Sequence, residues 1–191
     1  MGGVEGKIKY MGLLQSFSGS PVNPNRLDDA MALIEAAPYG RFKLDHVRLS
    51  RVTFYQKPEG NTTTTTKGLE IYLSSGFFDL EVYRQARILV HESQHTADQL
   101  EAGLYWWLTR YLVSPWFRLE AELAGLARQI EWDLVWRRLP ESRFESFAWE
   151  TARAYKKTYS LGPFISEGQI QQKIRTILLL KWAFIRGLTG G

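Results

Sequence analysis

The chain has 191 residues, 45% hydrophobic and 23% charged, the proportions of a folded globular protein, which excludes a disordered tail or a fibrous repeat. It contains no Cys, so disulfides, thiolate metal sites and cysteine nucleophiles are excluded, and any metal must be held by His and carboxylates. The 24 Lys and Arg against 20 Asp and Glu leave +4, interspersed rather than clustered, which argues against a nucleic-acid footprint.

The length suits one domain over 1–191, with 1–25 as an irregular N-terminal segment. Residues 11–16 match a myristoylation pattern in letters but are internal, and 1–21 lack the apolar core of a signal peptide. Residues 27–37 predict a short helix stopped by Pro38 and Gly40. Residues 44–56, rich in Val, Leu, Thr, Phe and Tyr, read as a strand, with His46 an ordinary sheet residue. Glu59-Gly60-Asn61 and the Thr tract 62–66 read as a polar, solvated loop, and 69–73 alternate as a second strand, giving a hairpin or small antiparallel sheet.

Beyond Gly76 the pattern is helical, with helices near 80–101, 104–113, 117–138, 142–159 and 167–187, and 142–191 forms a helical C-terminal extension. The longest apolar run, 177–185, is interrupted by Lys181 and too short to span a bilayer. The expectation is an α+β fold: a small antiparallel sheet followed by a predominantly helical body, in a cytoplasmic chain.

The stretch that carries chemistry is His91-Glu92-Ser93-Gln94-His95, an HExxH motif. Two His four apart on a helix lie about 40° apart around its axis, so both imidazoles can reach one cation. Glu92, about 100° round from His91, can take a proton from a water beside that cation. Val82, Ala86, Leu89, Val90, Ala97, Leu100 and Leu104 gather on the opposite side, so the helix can bury one face and present the pair on the other.

Such a centre needs a third protein ligand. Glu101 points away from His95 on a continued helix. Two further candidates stand in Arg118-Leu119-Glu120-Ala121-Glu122. Glu120 shares a helical stripe with Leu123, Ala124, Ala127, Ile130 and Leu134, and a carboxylate in an apolar stripe is costly unless a metal compensates its desolvation. Glu122 falls with Arg118 and Gln129 on the polar side. The expected ligand set is therefore His91, His95 and Glu120, with Glu122 as the alternative and Zn2+ as the cofactor.

HExxH followed by a Glu on a second helix resembles the gluzincin group of zinc metallopeptidases. Ile71-Tyr72-Leu73-Ser74 followed by Ala86-Arg87-Ile88-Leu89-Val90-His91-Glu92 is similar to the small minigluzincins, over roughly 44–135. The resemblance implies a zincin-like fold and zinc-dependent hydrolysis of a peptide or protein substrate, with Glu92 as general base. Such enzymes often carry an Asp four residues past the ligand Glu; that position here is Ala124, which leaves Asp98 as the candidate to orient a ligand His. The resemblance also implies that the strand before the active-site helix, through Ile71, Tyr72 and Leu73, is the edge along which substrate lies.

A donor for the developing oxyanion is expected as well, and Tyr155, with Tyr159 next along the same helix, is the candidate. The aromatic group Tyr105, Trp106, Trp107 and Trp116 reads as packing around the second helix, or in part as a substrate or partner surface. The alternative function is a catalytically inactive zincin-fold structural or protein-binding module.

Overall fold

The computed structural model describes residues 17–159 and 161–189; the match at 11–16 lies outside them. Among these residues the chain forms α1 (Asp28–Glu35), α2 (Lys43–Leu49), α3 (Val82–Ala102), α4 (Leu104–Val113), α5 (Pro115–Val135), α6 (Phe144–Thr158) and α7 (Glu167–Thr189). The strands are β1 (Ser20–Pro21), β2 (Thr53–Gln56), β3 (Thr65–Lys67) and β4 (Glu70–Leu73). The architecture is α+β and dominated by helices. None of the helices is long and apolar enough to cross a membrane.

α1 begins with Asp28 and Asp29, favourable at a helix N-terminus, and turns Ala30 and Ile34 into the core. The expected strand over 44–56 is corrected: its first half is α2. The apolar letters that suggested a strand, Leu44 and Val47, are 75% and 47% exposed, whereas Asp45 and Leu49, one turn apart, face inward. His46 accordingly lies on a helix, 3.9 Å from Glu35.

The sheet is mixed rather than antiparallel, in the order β1-β2-β4-β3. β2 and β4 run parallel, with Phe54 opposite Ile71 and Gln56 opposite Leu73. The missed element is β3, which lies largely within the Thr tract. It pairs antiparallel with β4 across a two-residue turn whose Gly68 sits at φ 60°, a conformation glycine adopts without strain. The hairpin thus exists, but between β3 and β4.

The five helices expected beyond Gly76 are present. α3 packs most extensively against α5 and also meets α1, α2, α4 and β3. It is consequently covered on more faces than amphipathic reasoning suggested. Ala86, Leu89, Val90, Ser93 and Thr96 are fully buried, while Val82 and Leu100 are exposed near its ends. Gly103, at φ 86°, separates α3 from α4. Ser114 caps α5, accepting from the Phe117 amide at 3.2 Å, with Pro115 in the first turn.

The C-terminal helices share one core with the rest: Ile170, Ile174 and Leu178 are fully buried in the cluster that holds Trp132 and Phe42. Buried Glu131 on α5 binds Arg41 (2.7 Å), Arg128 (2.9 Å) and Lys181 (2.7 Å), tying α5 to α7 and to the segment before α2. Arg128 also pairs with Asp45 on α2. Arg48 then donates to Ser93 Oγ at 2.8 Å, which fixes α2 against the HExxH helix.

Candidate metal centre

α3 carries His91, Glu92 and His95, all buried. The two Nε2 atoms face each other at 3.0 Å. From α5, Glu122 brings Oε2 to 3.6 Å from His91 Nε2 and 3.8 Å from His95 Nε2. All three ligand-type atoms lie within 4.8 Å of one another. Two neutral imidazole nitrogens this close repel through their lone pairs unless a proton or a cation lies between them. Two His nitrogens and one carboxylate oxygen form the donor set of a catalytic zinc site, so the residues present fit such an ion.

The close approach of α3 and α5 depends on Gly125. A Cβ there would stand 2.6 Å from Cε1 and Nε2 of His91, so the bare backbone makes room for the ring.

Without a cation, the charges of the site act on one another. Burial disfavours a charged His95, but the hydrogen bonding and charge of Glu122, reinforced by Glu92 and Asp98, push it up to about 9. Burial likewise disfavours a charged Glu122, and the two His outweigh it, holding the carboxyl well below the usual range.

Glu120, the expected third ligand, is corrected in its placement: it stands away from the His pair, and the alternative, Glu122, stands beside it. Glu120 is exposed and pairs with Lys173 on α7 at 2.7 Å. Its apolar stripe does bury Leu123, Ile130 and Leu134, yet Glu120 stands where that stripe meets solvent. The face that looked polar is enclosed as well: Arg118 and Glu122 are both buried. Gly125, three residues beyond Glu122 in mid-helix, was the sequence signal that this second face is closely approached.

Around His91, His95 and Glu122, β3 and α4 complete a cavity of about 260 Å³. Thr66 Oγ1 donates to Glu92 Oε2 at 2.6 Å, and residues 63–66 form one wall. Gln99, one turn beyond His95, accepts from the Gly68 amide at 2.6 Å and donates to the Thr66 carbonyl at 3.1 Å, fastening β3 to α3. Beneath this wall, buried Lys57 donates to the Thr63 carbonyl at 2.7 Å. Desolvation lowers Lys57 to about 8, opposed by the charge of Glu92.

On the α4 side, Tyr111 donates to Glu122 Oε1. Burial and the Glu122 charge hold this phenol far above its ordinary value, so it remains a donor. Tyr111 stacks on Trp107 at 4.9 Å, and Trp107 meets the His95 ring edge-on at 5.8 Å. Of the aromatic group, Trp107 is thus part of the cavity, while Tyr105 and Trp106 are exposed.

Three further expectations are corrected. Tyr155 is in the core, and its hydroxyl lies 3.4 Å from the main-chain carbonyl of Glu122; Tyr159, packed on it at 4.9 Å, reaches the cavity instead. Asp98 accepts from Gln94 at 2.7 Å, and Nδ1 of both His91 and His95 has no hydrogen-bond partner among the described residues. Ile71, Tyr72 and Leu73 belong to β4, which is bonded to β2 on one side and β3 on the other; the sheet edge nearest the site is β3.

No family model, curated protein or solved structure matches the chain.

Proposed function

We propose that the chain is a zinc-dependent peptidase of the gluzincin kind, with His91, His95 and Glu122 as the residues that hold the ion. The observation that carries this reading is the convergence of two His Nε2 atoms and one Glu oxygen, all buried, beside a carboxylate that has no place in the ligand set. A structural metal site has no use for a base; Glu92 lines the cavity with one oxygen held by Thr66 and the other left for a water.

Bound zinc supplies Lewis acidity, which acidifies water and polarises a carbonyl. Glu92 takes the proton of the water that attacks the scissile carbonyl and hands it to the amine as the C–N bond breaks, so water is consumed and an acid and an amine are released. Thr66 keeps the Glu92 carboxylate oriented during both transfers. The Thr wall 63–66 is where an extended peptide lies against the site, and Trp107, Tyr111 and Tyr159 limit access of bulk water.

The test is metal content by mass spectrometry together with hydrolysis of a quenched peptide library, for the wild type and Glu92→Gln. The expected result is about one zinc per chain in both and hydrolysis in the wild type alone. A chain that takes up no zinc when the ion is supplied refutes the reading.

A further inference from the structure

We propose that Tyr111 is a positioning residue for the cation site: by occupying Oε1 of Glu122 it leaves Oε2 as the single carboxylate oxygen offered to the ion, and Arg118 holds Tyr111 in place. This inference rests on the metal-site reading and deepens it, because it concerns how the third ligand binds.

A carboxylate beside a divalent cation can bind through one oxygen or through both. A hydrogen bond from a buried hydroxyl engages a lone pair of one oxygen and fixes the plane of the group. In this site the two oxygens have separate partners: Oε2 lies 3.6 and 3.8 Å from the two His Nε2 atoms, while Oε1 accepts from Tyr111.

Tyr111 is held at both ends. Its ring lies flat on Trp107, with 14° between the planes, and Trp107 in turn abuts His95. His95, Trp107, Tyr111 and Glu122 therefore close a loop of contacts around the site, and one of them cannot turn without disturbing the next.

The main chain of Tyr111 is fixed from α5. Arg118 stands one helical turn before Glu122 and donates to the carbonyls of Tyr111 (3.0 Å), Leu112 (2.8 Å) and Tyr159 (2.8 Å). The first two are among the last carbonyls of α4, which helix geometry leaves without partners. One buried guanidinium thus anchors the helix end that carries Tyr111 and, with it, the main chain of Tyr159, which also lines the cavity. Arg118 and Glu122 lie on one helix face, so the ligand and the anchor of its partner move as one piece.

The test uses Zn2+ affinity, by competition with a chromophoric chelator, and the visible spectrum of the Co2+-loaded protein, in the wild type and Tyr111→Phe. The wild type should give the intense bands of four-coordinate Co2+. Tyr111→Phe should bind Zn2+ about tenfold more weakly or worse and give weaker bands, as the freed oxygen joins the ion and raises its coordination. The melting temperature of the metal-free form checks that the variant is folded. Unchanged affinity and spectrum in a folded Tyr111→Phe overturn the role of Tyr111 and leave the metal site standing. A wild type that binds neither ion overturns both. Should the variant not fold, the wild-type spectrum decides: the weak bands of five-coordinate Co2+ overturn the proposal and the intense bands support it.

Discussion

Replacing Gly125 with Ala adds one methyl group to the face of α5 that His91 touches. The new carbon would stand 2.6 Å from the ring, whereas ordinary contact begins at 3.4 Å, so a displacement of about 0.8 Å is required. The ring is the end of a side chain and α5 is rigid backbone, so the ring gives way. Zinc–nitrogen distances tolerate about 0.2 Å, and the displacement exceeds that several-fold. We therefore expect Gly125→Ala to lower zinc affinity by at least about tenfold, about 1.4 kcal/mol. Stability of the metal-free fold should change much less. Replacing Gly by Ala within a helix gains about 1 kcal/mol, which offsets part of the roughly 1–3 kcal/mol cost of overpacking. Chelator competition reads the first quantity and urea unfolding in EDTA the second. Wild-type affinity in a folded Gly125→Ala would show that His91 does not need its present position, and the ligand geometry would be refuted with it.

Glu122→Ala should reduce zinc affinity by two orders of magnitude or more, whereas Glu120→Ala, which removes only an exposed pair with Lys173, should leave it within about twofold; isothermal titration distinguishes them, and the reverse order would restore Glu120 as the ligand. The folded value of His95 lies above its ordinary 6.5, so its attraction to Glu122 stabilises the metal-free protein fully below about pH 6.5 and is lost as pH rises through about 9. The metal-free melting temperature should fall across that window, and zinc uptake should strengthen and release a proton there; affinity independent of pH from 6.5 to 9 would contradict the His95–Glu122 coupling. Glu131→Ala strands the charges of Arg41 and Lys181 around a buried gap and leaves Arg128 with Asp45 as its one remaining carboxylate partner, and a loss of roughly 3–5 kcal/mol in denaturant unfolding is expected. A loss below about 1 kcal/mol would mean that the three cations relax into solvent.

The helical body was readable because α3, α5 and α6 are long and periodic, and HExxH declares both its residue types and their spacing. Glu122 was hidden by an assumption about α5: helical periodicity identifies one buried stripe, but a helix between α3 on one side and α7 on the other buries two. Residues 44–49 misled for a related reason, since Leu44 and Val47 are apolar residues left in solvent. The Thr tract carries little hydrophobic signal, and β3 owes its existence to tertiary partners, namely β4 and Gln99. Tyr111 had no signature at all, because its role arises only when the short helix between the two ligand helices folds back beside Glu122.

His91, His95 and Glu122 all fall within residues 91–122, on two helices joined by one short helix between Gly103 and Ser114. Assembling them requires closure of a single loop of about 30 residues, and neither the sheet nor the C-terminal helices need be in place first. Low contact order of this kind favours fast formation, so a helical hairpin formed early in folding already contains the means to capture its ion. If the site takes zinc as proposed, refolding with the ion present should be accelerated rather than merely shifted in its midpoint, and the cation would act as a nucleus for the fold.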